Sequence, residues 1–254
     1  MSAPVWLLGC GNMGGALLRR WIAEDMGPVA VIDPIVTDVP DGVTLGMPAG
    51  RPDVLVLAVK PQAWREAAAA LADVAGPMTL VVSVMAGVTV ADIAGVFSRS
   101  PIVRAMPNTP AAIGQGVTAL FTTAGDLAEG AAEALFGPAG TTVWLSDEAD
   151  FDAVTAVSGS GPAYVFAFIE ALAAAGVAEG LEPGLAARLA RATVTGAAAL
   201  AASEAAVPVG ILRERVTSPG GTTAAGLGVL VPGLGPLVQG AVKAAAARSR
   251  ALAG

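Results

Sequence analysis

The chain has 254 residues, enough for two modest domains or for one of ordinary size with an appendage. Its formal net charge is −7 with no basic cluster, which excludes nucleic acid as the main partner, because binding phosphates gathers Lys and Arg on one face. There is no histidine and one cysteine, Cys10, so Ser-His-Asp catalysis, a His general base, His metal sites and an internal disulfide are excluded, and no metal is expected.

Hydrophobic residues make up 54% of the chain and charged residues 14%, yet no convincing membrane segment is expected. The most apolar window, 163–180, contains Glu170 and Glu179 and owes its hydropathy to alanine, which suits buried helix packing better than lipid. So much apolar surface with so few charges points to burial between subunits. No basic residue precedes Arg19, so the charged region of a signal peptide is missing and a cytoplasmic protein is expected. Arg19 and Arg20 form a close basic pair that is expected on a helix, facing solvent.

Taken in order, the chain opens with the apolar run Val5-Trp6-Leu7-Leu8, which breaks at Gly9 and resumes with helical spacing after Gly14. This reads as strand, tight turn, helix. Gly9, Gly11 and Gly14 fit G-x-G-x-x-G, whose glycines in turn make the bend, admit a pyrophosphate to the backbone, and let helix and strand close up. The free N–H groups at the helix start then face the phosphates. A second strand, Val29–Ile32, ends in Asp33, which is either the acid that binds adenosine ribose hydroxyls or a turn former before Pro34. Residues 34–51 read as loop with one short strand and carry no basic group before Arg51; a pocket for the NADP 2′-phosphate usually offers one here, so NAD is favoured.

Val54 to Val59 reads as a parallel strand buried on both faces and ends in Lys60-Pro61. Lys60 is either a cation in the ligand crevice or the solvated start of a helix over 62–74. Strands follow at 79–84 and 102–106, the first leading through Met85-Ala86-Gly87 to a helix from Thr89, the second ending in Met106-Pro107-Asn108-Thr109-Pro110. That stiff turn either serves the fold alone or aims polar groups at the crevice. Strands at 116–122 and 141–145 flank a helix at 126–136, so an α/β doubly wound sheet is predicted.

Beyond Asp150 only alanine-rich helices are predicted, at 163–178, 183–206, 210–216, 222–231 and 237–252. The boundary between sheet and bundle falls between 146 and 161. Two stretches resist explanation by packing alone: Ser158-Gly159-Ser160-Gly161-Pro162, and Ser218-Pro219-Gly220-Gly221-Thr222-Thr223. In the second, glycines free the backbone and threonines open a helix, either as simple caps or as a carboxylate-sized anion site near Arg213 and Arg215.

Together these motifs, with Ala58-Val59-Lys60-Pro61 and with Ala163-Tyr164 extending the serine-glycine stretch, stand in the order seen in delta-1-pyrroline-5-carboxylate reductases, and the chain resembles that family over nearly its whole length. The resemblance implies a Rossmann-type NAD(P)-binding domain over 1–152 and an all-α dimerisation and substrate-binding domain over 153–254, interlocked with a second copy and often assembled into larger rings. It implies hydride reduction of the cyclic imine L-1-pyrroline-5-carboxylate to L-proline by NAD(P)H, the last step of proline biosynthesis. Gly9, Gly11, Asn12, Met13, Gly14 and Asp33 would hold adenosine and pyrophosphate. Ala58, Val59, Lys60, Pro61, Met85, Ala86 and Gly87 would line the nicotinamide side, and Asn108 would also bind the cofactor. Ser218, Gly220, Gly221 and Thr222 would cradle the substrate carboxylate, with the Thr223 hydroxyl on the ring nitrogen and Glu148 as an acid near the substrate. Lys60 would add positive charge or help protonation. The active site would combine one subunit's cofactor domain with helices of both. Where the family commonly has Ser or Thr this chain has Asp33, which favours NADH over the family's frequent NADPH; the stretch 203–218 is slightly longer than the family's, and Val231-Pro232-Gly233-Leu234-Gly235-Pro236 is unusual in it.

Rival readings share the architecture: a reductase of another cyclic imino acid, or a β-hydroxyacid dehydrogenase. The latter needs a basic residue, typically lysine, early in the helical half, and no lysine lies between Lys60 and Lys243. A non-catalytic dinucleotide sensor is disfavoured by retention of both the cofactor turn and the Ser218–Thr223 cradle.

Overall fold

The computed structural model describes residues 3–253. Strands β1 (Val5–Leu8), β2 (Val29–Ile32), β3 (Val43–Leu45), β4 (Val54–Leu57), β5 (Leu80–Ser83), β6 (Ile102–Met106), β7 (Gly116–Thr122) and β8 (Gly140–Trp144) form one sheet in the order β3-β2-β1-β4-β5-β6-β7-β8. The first six strands pair in parallel; β7 runs antiparallel to β6, and β8 follows β7 in parallel. The predicted doubly wound sheet is present, with a reversed pair of strands at one end.

Side-chain alternation sets the two faces. Val5, Leu7, Val31, Val56 and Leu120 meet Leu17 and Trp21 of α1 (Asn12–Ala23), where Trp21 Nε1 donates to the Leu135 carbonyl at 2.9 Å. Trp6, Leu55, Leu57 and Val81 point the other way, onto Trp64 of α2 (Trp64–Ala69) and Ile93 of α3 (Val90–Ala94). Helix α4 (Asp126–Phe136) covers the first face with Leu135 and Phe136. The helix predicted over 62–74 is regular only in α2, because its bonds tighten beyond Ala69: Leu71 N–H donates to Ala68 and Ala72 N–H to Ala69, three residues back. The strand predicted to Val59 leaves the ladder after Leu57, where Ala58 and Val59 crowd against the turn at Gly9.

By Cα packing the chain divides into two compact units, one running to Ser160 and resuming at Ala245, the other from Gly161 to Ala244. The first therefore takes in α5 (Phe151–Val154) and a π-helical turn at Thr155–Gly159. The second holds α6 (Gly161–Ala178), α7 (Pro183–Ser203), α8 (Val209–Arg215) and most of α9 (Thr222–Ala253). Helices α6 and α7 approach closely at Gly176, whose missing side chain leaves room for Ala186, and Glu182 caps α7 by accepting from the N–H groups of Gly184 and Leu185 at 2.8 Å each. The two helices predicted at 222–231 and 237–252 are one: α9 continues through Pro232 and Pro236, although neither can donate to the carbonyl four residues back.

The helical unit buries little of itself. No residue of α6 is buried, and in α7 only Ala186 and Ala190 are, so Phe166, Phe168, Leu189 and Leu200 stay open in the single chain. By length and composition Glu148–Ala178 and Thr222–Leu252 would each be long and apolar enough to cross a bilayer, a test the first passes despite Glu170.

Candidate active site

The sheet order sets β1 between β2 and β4, and in such sheets ligands bind where the strand order reverses, beyond the carboxyl ends of the strands. The Gly9–Gly14 turn lies there. Gly9 has φ +90°, and a Cβ on it would sit 2.7 Å from the Ala58 carbonyl; a Cβ on Gly14 would strike the Gly9 carbonyl. A Cβ on Gly11 would meet nothing within 4 Å, and Gly11 opens α1 without a capping side chain. Two glycines are thus required by close approach inside the protein and one faces open space, beside helix N–H groups that have no acceptor within the helix. The turn fits a dinucleotide pyrophosphate.

Asp33 is drawn into this turn. Its Oδ2 accepts from Cys10 N–H and its Oδ1 from Ile35 N–H, both at 2.8 Å. Burial would raise its pKa, but the N–H groups of Cys10, Ile35 and Val36 outweigh burial and hold the carboxyl below its ordinary value. Burial and the Asp33 charge push the Cys10 thiol up against the opposing pull of Arg19, so Cys10 is a protonated packing residue. A cleft of about 810 Å³ runs along the turn, lined by Cys10 to Met13, by Val36, Asp38, Val39 and Pro40, and by Arg19. Arg19 is exposed, as expected, and its place on the helix face of Asn12 and Ala16, at steps of i, i+4 and i+7, sets it along the cleft. Its neighbour Arg20, expected to face solvent, is instead half-buried: its Nε donates to the Pro138 carbonyl and its Nη2 to Glu24, each at 2.8 Å.

Beyond β4, Lys60 is exposed, with no carboxylate within ion-pair distance among the described residues. After β5, Met85 N–H donates to the buried Ser83 hydroxyl at 3.2 Å, Ala86 is exposed, and Gly87 takes φ +75°. Asn108 is turned inward: it is 8% exposed, its Nδ2 donates to the Ser158 carbonyl at 3.1 Å, and its Oδ1 accepts from Val117 N–H at 3.0 Å. These two bonds brace the turn after β6. Glu148 is likewise committed, for its Oε1 accepts from Arg104 Nη1 at 2.9 Å and from Val90 N–H at 2.8 Å. Arg104 was missed, although a lone arginine in the apolar strand Ile102–Met106 marks it in the sequence.

In the helical unit, Ser218 to Gly221 close a tight turn in which Gly221 N–H donates to the Ser218 carbonyl at 3.0 Å, Pro219 occupies the second position, and Gly220 has φ +72°. Proline and glycine in those places are what a type II turn asks for. A Cβ on Gly221 would fall 2.8 Å from the Ser218 hydroxyl oxygen. Helix α9 starts at Thr222 itself, so Thr222 and Thr223 occupy its first two helical positions instead of capping it, both exposed. Their N–H groups have no acceptor within the helix. Of the arginines expected nearby, Arg215 pairs with Glu204, and Arg213 lines a groove along α9 with Leu227, Val231 and Pro232.

Residues 148–252 match the family model for pyrroline-5-carboxylate reductase dimerisation. A pyrroline-5-carboxylate reductase of Pseudomonas aeruginosa is 45% identical over 205 residues, covering 79% of this chain and 75% of the relative. Among solved structures, a pyrroline-5-carboxylate reductase of Coxiella burnetii superimposes with a TM-score of 0.91 and 34% identity over 100% of both chains. A Plasmodium falciparum pyrroline carboxylate reductase with NADP bound superimposes with a TM-score of 0.85 and 28% identity, over 99% of this chain and 98% of that one.

Proposed function

The chain belongs to the pyrroline-5-carboxylate reductase family, and from that premise we propose that it reduces L-1-pyrroline-5-carboxylate to L-proline with NAD(P)H. The observation that carries this reading is the Gly9–Gly14 turn, with its open Gly11 and uncapped helix start, at the switch point of a sheet whose relatives align end to end.

NAD(P)H, when bound, supplies the hydride that the imine carbon accepts; the ring nitrogen takes a proton, readily drawn from water, so no histidine acid is needed. The protein contributes orientation and electrostatics. Gly11, Asn12, Met13 and Gly14 offer N–H groups to the pyrophosphate. Asp33, kept ionised, accepts from the adenosine ribose hydroxyls, and together with Asp38, which lines the cleft, it repels a 2′-phosphate, which makes NADH the preferred donor despite Arg19. Ala58 to Pro61 and Ala86-Gly87 line the nicotinamide side. The turn from Ser218 to Gly221 and the N–H groups of Thr222 and Thr223 hold the substrate carboxylate, while the Thr223 hydroxyl meets the ring nitrogen. Lys60 adds positive charge or helps protonation. Asn108 braces the turn after β6, and Glu148 braces Val90 N–H and Arg104 through Oε1, which leaves Oε2 for the substrate-side acid role.

Residues 1–152 are assigned to the cofactor and 153–254 to dimerisation and substrate. The apolar helices are covered by a second subunit rather than by lipid, and the setting is cytoplasmic, where both reactants are soluble. The test follows NADH and NADPH absorbance with purified protein and pyrroline-5-carboxylate. Turnover should favour NADH, Asp33→Ser should move the preference toward NADPH, and Thr223→Ala should lower kcat by about a hundredfold. Folded, dinucleotide-binding protein without turnover overturns the proposal in favour of another cyclic imine.

A further inference from the structure

A guanidinium sits inside the sheet unit with no part in the reading above. The Arg104 side chain is 7% exposed, its Cζ lies 4.1 Å over the Phe151 ring, and its Nη1 donates to Glu148. Its Nε is buried without an acceptor among the described residues. Burying such a group costs free energy, and an apolar side chain would fill the same strand position more cheaply, so packing alone does not account for an arginine here.

The contacts lead outward to the cofactor side. Glu148 uses the oxygen that Arg104 holds to accept from Val90 N–H as well. Val90 opens α3, and its predecessor Thr89 is locked by a capping box with Asp92, in which Asp92 N–H donates to the Thr89 hydroxyl at 3.1 Å and Thr89 N–H to the Asp92 carboxylate at 3.2 Å. Between Met85, buried under the sheet edge, and this locked helix start hang Ala86 and Gly87, the latter in the left-handed region. Gly87, Thr89, Arg104, Glu148 and Phe151 line one recess of about 230 Å³. The loop is therefore tied at one end to β5 and at the other to a carboxylate that only Arg104 neutralises among the described residues.

We propose that Arg104 is a positioning residue for hydride transfer: by holding the Glu148 carboxylate on Val90 N–H, it fixes the Ala86-Gly87 loop against which the nicotinamide half of the dinucleotide is set. This rests on the reading that Ala86 and Gly87 line the nicotinamide side. It separates two duties: Gly9–Gly14 and Asp33 bind the adenosine half, which Arg104 does not touch, and the Arg104–Glu148 pair aims the reacting half.

The test compares Arg104→Gln, Arg104→Lys and Glu148→Gln in the full chain, measuring equilibrium binding of ADP-ribose and of NADH, then kcat and both KM values. The expected result is unchanged ADP-ribose binding, weakened NADH binding and a kcat lower by about ten- to a hundredfold in Arg104→Gln, with part of the loss recovered in Arg104→Lys. Should Arg104→Gln fail to fold, Glu148→Gln keeps an acceptor for Val90 N–H while removing the charge, and the same split between the two ligands is expected at smaller size. ADP-ribose and NADH weakened alike, or neither weakened, overturns the positioning role. The binding comparison needs no substrate, so wild-type protein that lacks turnover with pyrroline-5-carboxylate overturns the functional proposal alone and leaves this one to be decided by the ligand pair.

Discussion

The two units of this chain solve the same problem to different degrees. In the sheet unit Leu7, Leu17, Leu55, Leu57, Val56 and Phe136 have essentially no exposure, and the apolar faces of the central strands β1, β4 and β5 find helices within the chain. In the helical unit Phe166 is 59% exposed, Leu189 48% and Val229 84%, on helices otherwise rich in alanine and glycine. An apolar helix with no cover is incomplete as a folded object, since most helical stability comes from a buried face. The sheet unit completes its core alone; the helical unit, the part matched by the dimerisation family, completes its core only with a second copy.

The sharpest break in this comparison would come from charging the open face. Phe166→Asp combined with Val229→Asp places carboxylates where a partner is expected, at a cost of several kcal/mol each if buried unpaired. The expected outcome is single-chain mass by light scattering, loss of most turnover, and ADP-ribose binding retained by the sheet unit; a dimer of normal activity would mean that these faces are free surface. Next in size is Gly14→Ala, which should stay confined to the other unit. Its methyl group meets the Gly9 carbonyl, so dinucleotide affinity should fall by about 1–3 kcal/mol while light scattering still reports the wild-type assembly. The smallest effect concerns pH. Because the folded-state pKa of Asp33 is lowered, its contribution to stability is fully present above the unfolded value, about 3.9, and is lost as pH falls through the lower folded value. The Tm difference between wild type and Asp33→Asn should therefore be constant from neutral pH to mildly acidic pH and close below about pH 4.

The same contrast governs what could be read from sequence. Strands such as Val54–Leu57 and the glycine turn announce themselves because their causes are local: a buried parallel strand needs a continuous apolar run, and Gly9 and Gly14 are dictated by atoms a few residues or one strand away. Helix ends in the second half were less legible. Prolines at 232 and 236 read as a break, yet α9 runs through them, because what overrides a local preference is tertiary or quaternary packing that no short window contains. At the site, Asp33 was legible from its place after β2, whereas the inward turn of Asn108 and the commitment of Glu148 to Arg104 depend on partners 44 or more residues distant for Glu148 and 50 for its Asn108 counterpart at Ser158. Residue type told that these side chains matter; only the fold told what they hold.

The prolines in α9 carry a consequence for time rather than shape. With Pro232 and Pro236 inside it, and glycines at 226, 228, 233, 235 and 240, this helix is weaker than an alanine helix of its length by on the order of ten kcal/mol, so it does not form on its own initiative. A newly made chain would ready its cofactor half early and leave its carboxyl half waiting for an encounter with another chain. The rate at which active enzyme accumulates would then rise with the square of chain concentration, and dilution of freshly refolding protein would slow the return of activity without slowing the return of dinucleotide binding.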